Sequence, residues 1–245
     1  TFMKRIKFEK TFNLRDLGGI PLTLNTETIS HKLLRSDALI ELSEIEKDYL
    51  FEYGVRVIID VRNDRERETR PNVLKDDLRF IYLEIPILNK IKMEDKKDER
   101  PSAELNEKTL EDIYLDILDN YQKDLTKVFQ AFLKYKDTCI LFHCSAGKDR
   151  TGIISALLLL LNGVSLYDVI ADYEISYALL LPRMYKLLET YPDLKMHIMQ
   201  SKPKIIQYAI KYLLNKYGSI INYFKVLGFN EMEIKELSTI LNATN

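Results

Sequence analysis

The chain has 245 residues, which is enough for one large α/β domain or two small ones, and 46% of them are hydrophobic. Its 36 basic and 37 acidic residues leave a net charge of −1. This balance argues against a general nucleic-acid-binding surface and against a polybasic membrane-binding surface. The longest largely apolar run, residues 153–161, is too short to span a bilayer, so we expect no stable membrane insertion.

The first half of the chain predicts alternating strands and helices. Ser43-x-x-Glu46 is a capping box that predicts a helix ending at Gly54. Residues 55–59 are apolar and β-branched and follow as a parallel strand, and residues 80–83 predict another strand. The alternation favours a short, mainly parallel sheet with helices on its faces.

The middle of the chain leads from a charged loop into a buried strand. Residues 89–102 are crowded with charge and carry Pro101, so we expect a mobile loop there. Residues 107–135 predict helix in one or two pieces, and residues 138–142 predict a buried strand.

The C-terminal part is predicted to be helical throughout. A buried helix is expected at residues 153–161, and Ser165 with Asp168 caps the next helix. From about residue 182 to 245 the chain is rich in Tyr, Lys, Leu and Ile at helical spacing, and Asn230-x-x-Glu233 caps a last helix. These helices either form a lid or wall over the site or cover one face of the sheet.

The ten residues His143–Gly152, HCSAGKDRTG, lie between a predicted strand and a predicted helix. A helix N-terminus has unpaired N–H groups and the positive end of the helix dipole, so an anion binds there readily. The spacing between Cys144 and Arg150 lets the loop curl its N–H groups around one centre. The segment therefore predicts a phosphate-binding loop made by Ser145, Ala146, Gly147, Lys148, Arg150 and Thr151.

Displacement at phosphorus is the reaction that these residue types favour. Cys144 is the predicted nucleophile, because the loop N–H groups, the helix dipole and Arg150 all stabilise a thiolate. Arg150 can offer a planar fork to two phosphate oxygens, Gly147 permits close backbone approach, and Thr151 can hydrogen-bond the sulfur. Asp149 is the nearest candidate for the acid that protonates the leaving oxygen.

Three further residues are predicted to support the loop. His143 precedes the nucleophile and can orient the loop. Asp60 and Arg62 end a predicted strand, where sites gather in open α/β sheets. They can buttress the loop as an ion pair, or Asp60 can replace Asp149 as the acid. Cys139 lies inside the predicted strand and is expected to be inert packing.

Competing readings of the loop fit less well. A Walker loop needs a glycine where Phe142 stands and Ser or Thr where Asp149 stands. A thiol redox protein needs a resolving cysteine, and Cys139 is badly placed for that role. The cysteines and histidines show no CxxC or HxxxH spacing, so we expect neither a metal nor a cofactor. A catalytically weak module that only binds phosphorylated partners stays an alternative, although a pure binder does not need Cys144.

Several segments resemble one protein family. The loop is similar to that of the bacterial atypical cysteine-dependent tyrosine and phosphoinositide phosphatases. Further landmarks of that family are similar to NLRDLGG at residues 13–19, LLRS at 33–36, IDVRN at 59–63, ADY at 171–173 and YGS at 217–219. The loop is highly specific, whereas the other landmarks individually are not. Together they run from about residue 11 to 228.

The resemblance implies a three-layer α/β/α protein-tyrosine-phosphatase-like fold in a single domain, residues 1–245. It implies hydrolysis of phosphotyrosine, with phosphoserine, phosphothreonine or phosphoinositides as further substrates. It also implies Cys144 as nucleophile, Arg150 as phosphate ligand, Asp149 as general acid, and Lys148 as a charge that suits polyphosphorylated lipid head groups. The chain has no tryptophan, so the acid-bearing WPD loop of better-known tyrosine phosphatases is absent in its usual form.

Location and assembly are less constrained. Two cysteines suit a reducing compartment, and residues 1–5 are charged with no apolar core after them, unlike a signal peptide. We therefore expect a cytoplasmic protein, although secretion by a route that needs no signal peptide would leave no such segment. The expected partners are a phosphorylated protein or a phosphoinositide, and the oligomeric state is not predicted.

Overall fold

The structure, a computed structural model, describes residues 4–88, 109–190, 192 and 200–242. The strands of this part are β1 (Lys4–Arg5), β2 (Arg15–Asp16), β3 (Leu33–Ser36), β4 (Val55–Asp60), β5 (Ile81–Glu84) and β6 (Cys139–His143). Its helices are α1 (Glu44–Glu52), α2 (Asp64–Thr69), α3 (Leu110–Asn120), α4 (Gln122–Lys134), α5 (Arg150–Leu161), α6 (Leu166–Thr190), α7 (Pro203–Tyr217), α8 (Ile220–Val226) and α9 (Glu231–Leu237).

All six strands join one sheet in the order β1-β2-β3-β6-β4-β5. Strands β3, β6, β4 and β5 run parallel, whereas β1 and β2 pair antiparallel at one edge. In the register, His143 at the end of β6 lies between Ser36 of β3 and Asp60 of β4. The carboxyl ends of three parallel strands therefore meet at one edge of the sheet, which is where ligands bind in open α/β sheets.

Buried side chains lie on both faces of this sheet. Ile58 and Leu141 point to one face and pack in a cluster that includes Leu50 of α1. Ile59 and Phe142 point to the other face and join a larger cluster with side chains of α3 to α9. Parallel strands covered on both faces have nearly continuous apolar sequences, as β4 and β6 do. The predicted three-layer α/β/α class is confirmed.

The C-terminal helices pack into the larger of the two cores. Ile206 of α7, Phe224 of α8 and Leu237 of α9 are buried in the same cluster as Phe129 of α4. The described contacts are thus those of helices covering a sheet face. The formation of a lid stays a prediction, since residues 191 and 193–199 lie outside the described part.

Local signals in the sequence place several helix ends correctly. The capping boxes at Ser43 and Asn230 are present, and Gly54 follows α1 with a φ of 105°. The long helix expected at residues 107–135 forms two pieces that meet at Tyr121. Pro182 lies inside the continuous helix α6, so the change of composition there does not mark an element boundary.

Two other expectations concern the charged loop and membrane insertion. The loop expected at residues 89–102 lies outside the described residues. In the ranges that the structure does describe, no helix is long and apolar enough to cross a membrane.

Candidate active site

Cys144 lies directly after β6, and Arg150 is the first residue of α5. The loop between them therefore joins the end of a buried strand to a helix N-terminus. The Cys144 side chain is buried, and the backbone N–H of Gly147 donates a hydrogen bond to its Sγ at 3.2 Å. The positive end of the α5 dipole and this N–H both favour a negative charge on the sulfur.

The carbonyl groups of the loop face away from its centre. The Ser145 carbonyl accepts from Ala38 N at 3.2 Å and from Arg183 Nη1 at 2.8 Å. Asn13 Nδ2 donates to the carbonyls of Ala146 and Gly147 at 2.9 and 3.0 Å. Because three successive carbonyls are held from outside, the backbone N–H groups are left to face inward, which is the arrangement that an anion-binding nest requires.

Gly147 is the position in the loop where a side chain does not fit. Its φ is 65°, a left-handed conformation that L-residues with a Cβ rarely adopt. A Cβ there would lie 2.3 Å from the carbonyl oxygen of Ser36 at the end of β3. The loop is therefore packed directly against the sheet backbone.

A buried ion-pair network holds the loop from behind. Asp172 of α6 accepts from Arg15 Nε at 2.8 Å and from Arg35 Nη1 at 2.5 Å, and Arg35 Nη2 donates to the Gly147 carbonyl at 2.7 Å. Burial alone would raise the pKa of Asp172, but the two guanidinium groups lower it. Burial, together with Arg35, lowers the pKa of Arg15 to about 10.

The same network orients the amide of Asn13. Arg15 Nη1 donates to Asn13 Oδ1 at 2.6 Å, so the amide nitrogen must point to the loop carbonyls. Arg15 thus reaches the loop through Asn13, and this support gives two residues of the landmark at 13–19 a structural role. Neither residue type nor spacing in the sequence indicates the partners of Arg15.

Glu66 is a functional candidate that the sequence analysis missed. Its carboxylate binds both terminal nitrogens of Arg150, with Nη1–Oε2 at 2.6 Å and Nη2–Oε1 at 2.7 Å, and the Ser145 hydroxyl also donates to it. Burial would raise the pKa of Glu66, but Arg150 outweighs it and the pKa falls to about 2. Against its own burial, the pKa of Arg150 is raised by the same carboxylate.

One local signal could have pointed to Glu66. Asn63-x-x-Glu66 is a capping box at the start of α2, directly after the end of β4, and both of its hydrogen bonds form. The box predicts a helix at the sheet edge where the site lies. It does not predict that the glutamate also reaches Arg150, which is 84 residues further along the chain.

Asp149 lies within the loop, and one oxygen of its side chain is fixed by hydrogen bonds. Tyr114 Oη donates to Asp149 Oδ1 at 2.6 Å, and Lys148 Nζ donates to the same oxygen at 2.8 Å. The Lys148 ammonium also donates to the carbonyl of Gln200 at 3.1 Å. Lys148 is almost completely buried, and in this conformation its ammonium group binds Asp149 and the chain after α6.

His143 is buried next to Cys144 and bridges two segments. Its Nδ1 lies 3.0 Å from the Cys144 carbonyl and its Nε2 lies 2.9 Å from Asn72 Nδ2. Since Asn72 Oδ1 accepts from Leu74 N, its amide nitrogen faces the ring; Nε2 therefore accepts and Nδ1 donates. Burial lowers the pKa of His143, in agreement with this neutral form.

Asp60 and Arg62 form a buried ion pair beside His143. Arg62 Nη2 lies 2.6 Å from Asp60 Oδ2, which also accepts from Tyr82 Oη at 2.6 Å and lies 3.5 Å from His143 Nε2. Burial would raise the pKa of Asp60, yet the Arg62 guanidinium and the hydrogen bond from the Tyr82 hydroxyl hold it well below its usual range. Such a carboxylate keeps no proton to give, which favours the buttressing role over the acid role.

Thr151 and Cys139, two further residues of the sequence analysis, are both buried. Thr151 is buried, and its hydroxyl has no hydrogen-bond partner within the described residues, so a bond to the Cys144 sulfur is not formed here. Cys139 is buried in β6, where burial raises the pKa of its thiol to about 12. Within the described residues, no group of three or more His, Cys, Asp or Glu side chains is placed to hold a metal ion.

Comparisons with known proteins agree on the class of protein. A family model described as "Tyrosine phosphatase family" matches residues 6–243. A tyrosine-protein phosphatase of Nostoc commune is 36% identical over 143 residues, covering 58% of this chain and 47% of that protein. A Cupriavidus necator protein provisionally named as a tyrosine-protein phosphatase is 28% identical over 172 residues, covering 69% of this chain and 61% of that protein.

The chain thus spans about half to three fifths of the length of these curated relatives. Among solved structures, Pseudomonas aeruginosa TpbA is similar at 13% identity and a TM-score of 0.39, over 84% of this chain and 91% of that chain. A similarity this distant assigns no activity. The match to the family model, in contrast, covers nearly the whole sequence, and the chain belongs to the tyrosine phosphatase family.

Proposed function

We propose that this protein is a metal-independent phosphomonoester hydrolase that works through a phosphocysteine. The observation that carries the proposal is the loop from Cys144 to Arg150, with the sulfur at its base and its carbonyls held outward. A tetrahedral phosphate dianion fits a nest of inward N–H groups at a helix N-terminus. Membership of the tyrosine phosphatase family supports the same reaction class.

The first step transfers the phosphoryl group to sulfur. The Cys144 thiolate attacks phosphorus, an S–P bond forms, and the bond from phosphorus to the ester oxygen breaks. Asp149 gives its proton to the leaving oxygen, which departs as an alcohol or phenol. The loop N–H groups and Arg150 stabilise the charge on the equatorial oxygens during the transfer.

The second step regenerates the enzyme. Asp149, now ionised, accepts a proton from water, the water oxygen attacks phosphorus, and the S–P bond breaks to release inorganic phosphate and the thiolate. Arg150 is already held by Glu66 through its two terminal nitrogens, which leaves its Nε edge to turn toward a bound phosphate. The plane of the guanidinium is therefore held before substrate arrives, which reduces the entropy that binding must overcome.

Phosphotyrosine is the substrate class that we place first, because the family and both relatives are tyrosine phosphatases by name. Phosphoserine and phosphothreonine follow as further substrates. The proposal for phosphoinositides rests on Lys148 in the loop. Its ammonium holds Asp149 and the Gln200 carbonyl here, so a polyphosphorylated head group would have to compete with those contacts.

The test is a turnover panel with the purified protein in excess chelator. We expect hydrolysis of an aryl phosphate and of phosphotyrosine peptides, with phosphoserine peptides and phosphoinositides slower, and inhibition by vanadate. Cys139→Ser should keep the activity and Cys144→Ser should remove it. Binding of phosphopeptides without turnover by the wild-type protein would favour a phosphate-binding module instead.

A further inference from the structure

Two buried tyrosines lie behind Asp149 and are not explained by phosphate binding. Tyr114 of α3 and Tyr173 of α6 are both buried, and their hydroxyl oxygens are 2.7 Å apart. Their rings meet edge to face, with centroids 6.1 Å apart. A Cβ on Gly152 of α5 would lie 3.1 Å from the Tyr173 ring, so this ring is packed against the helix that carries the catalytic loop.

The direction of the hydrogen bonds follows from the number of protons. Each phenol has one proton to donate. Tyr114 donates its proton to Asp149 Oδ1 at 2.6 Å, so its oxygen must accept from Tyr173. Burial and the nearby Asp149 raise the pKa of both phenols, so both stay protonated donors at any working pH. The two hydroxyls form a relay of fixed polarity that ends on Asp149.

This relay gives the two carboxyl oxygens of Asp149 different hydrogen bonding. Oδ1 accepts from Tyr114 and from Lys148 Nζ, while Oδ2 has no hydrogen bond from any residue in the described ranges. A proton on the carboxyl group is therefore disfavoured on Oδ1, which already receives two donors, and favoured on Oδ2.

We propose that Tyr114 is a positioning residue for the general acid, which holds Asp149 so that Oδ2 carries the proton to the leaving group, and that Tyr173 orients the Tyr114 hydroxyl. The inference rests on the proposed acid role of Asp149 and deepens it. It assigns a function to two hydroxyl groups that would otherwise be polar groups buried without need.

The experiment compares substrates with poor and good leaving groups. Tyr114→Phe keeps the ring and removes the hydroxyl. We expect kcat for a phosphoserine peptide to fall about tenfold, or ~1.4 kcal/mol in activation free energy, with KM unchanged. For 4-nitrophenyl phosphate, whose leaving group needs little protonation, kcat should change less than about twofold.

Asp149→Asn, alone and combined with Tyr114→Phe, distinguishes failure of the positioning role from failure of the acid assignment. If Tyr114 acts through Asp149, adding Tyr114→Phe to Asp149→Asn should cause no further loss, because interacting residues are non-additive. An additive loss, or an equal loss with both substrates, would overturn the positioning role and leave the acid in place. If Asp149→Asn itself lacks leaving-group dependence, the acid assignment fails and this inference fails with it.

Two further variants guard against a purely structural effect. Tyr173→Phe leaves the Tyr114–Asp149 contact in place, so it should cause a smaller loss that is again confined to the phosphoserine peptide. Tyr223→Phe is the matched control, since Tyr223 is a buried tyrosine that donates to the Leu118 carbonyl rather than to the loop. It should leave the ratio of the two kcat values unchanged, and a change of that ratio equal to the one in Tyr114→Phe would contradict the proposal.

Discussion

Glu66→Gln tests the least expected contact of the site. The Glu66 carboxylate accepts from Arg150 through two nitrogens and from the Ser145 hydroxyl, and it also closes the capping box by accepting from Asn63 N at 2.8 Å. Glutamine has nearly the same shape, and its amide oxygen can keep the bond to Asn63. The substitution therefore removes the charge that holds Arg150 and little else.

The size of the effect follows from the pKa of Glu66. The pKa falls from 4.5 to about 2 in the folded protein, and each unit corresponds to ~1.4 kcal/mol. The ionised carboxylate thus contributes about 3 kcal/mol to the free energy of unfolding. Because the folded pKa is lowered, this contribution is present above pH 4.5 and is lost as the pH falls through about 2.

The assay is urea unfolding of the wild type and Glu66→Gln at pH 7 and at pH 3. We expect the wild type to be more stable by about 3 kcal/mol at pH 7 and by about half of that at pH 3, because glutamine does not titrate. Asp64→Asn is the control. Asp64 pairs with Arg67 in the same helix, but its side chain is 57% exposed, so its loss should cost about 0–1 kcal/mol.

Two results would refute this reasoning. A difference between the wild type and Glu66→Gln that is equal at the two pH values would show that the charge of Glu66 is not the cause. A difference below about 1 kcal/mol at pH 7 would mean that the Glu66–Arg150 pair contributes no more to stability than an exposed ion pair does.

Three further predictions concern the loop itself. Arg150→Lys keeps the charge but loses the fork and the two contacts to Glu66, so kcat/KM should fall at least ~100-fold; steady-state turnover near wild type would contradict the bidentate argument. Asp149→Asn should slow phosphoserine peptides by about 10²–10⁴-fold, far more than an aryl phosphate, and flatten the basic limb of the pH–rate profile; the same pattern in Asp60→Asn instead would mean that the acid is misassigned. Gly147→Ala places a Cβ 2.3 Å from the Ser36 carbonyl oxygen, so calorimetric titration should show vanadate binding weakened more than tenfold; unchanged affinity would mean that the loop does not need this close packing.

Features that depend on neighbouring residues in the chain could be predicted from the sequence. The capping boxes at Ser43 and Asn230 are contained within four residues each, and both form as predicted. The loop from Cys144 to Arg150 is equally local, because a strand, a turn and a helix N-terminus follow one another directly. The register that brings Asp60 beside His143 follows from the parallel sheet.

Features that depend on contacts between distant segments could not be predicted from the sequence. Asn13 holds loop carbonyls more than 130 residues away, and Tyr114 reaches Asp149 from a helix whose sequence signals only a buried face. An asparagine or a tyrosine has many ordinary roles, so neither residue type nor spacing indicates these partners. Glu66 was equally hidden, because its capping role already accounts for its position in the sequence.

The proposed phosphocysteine can be detected directly from the mass of the enzyme quenched in acid during turnover of a phosphotyrosine peptide. We expect an added mass of one phosphoryl group on the peptide that contains Cys144, and we expect this mass to be absent from Cys144→Ser and unaffected by chelator. A phosphoryl group on another residue, or steady turnover by Cys144→Ser with no labelled intermediate, would contradict it.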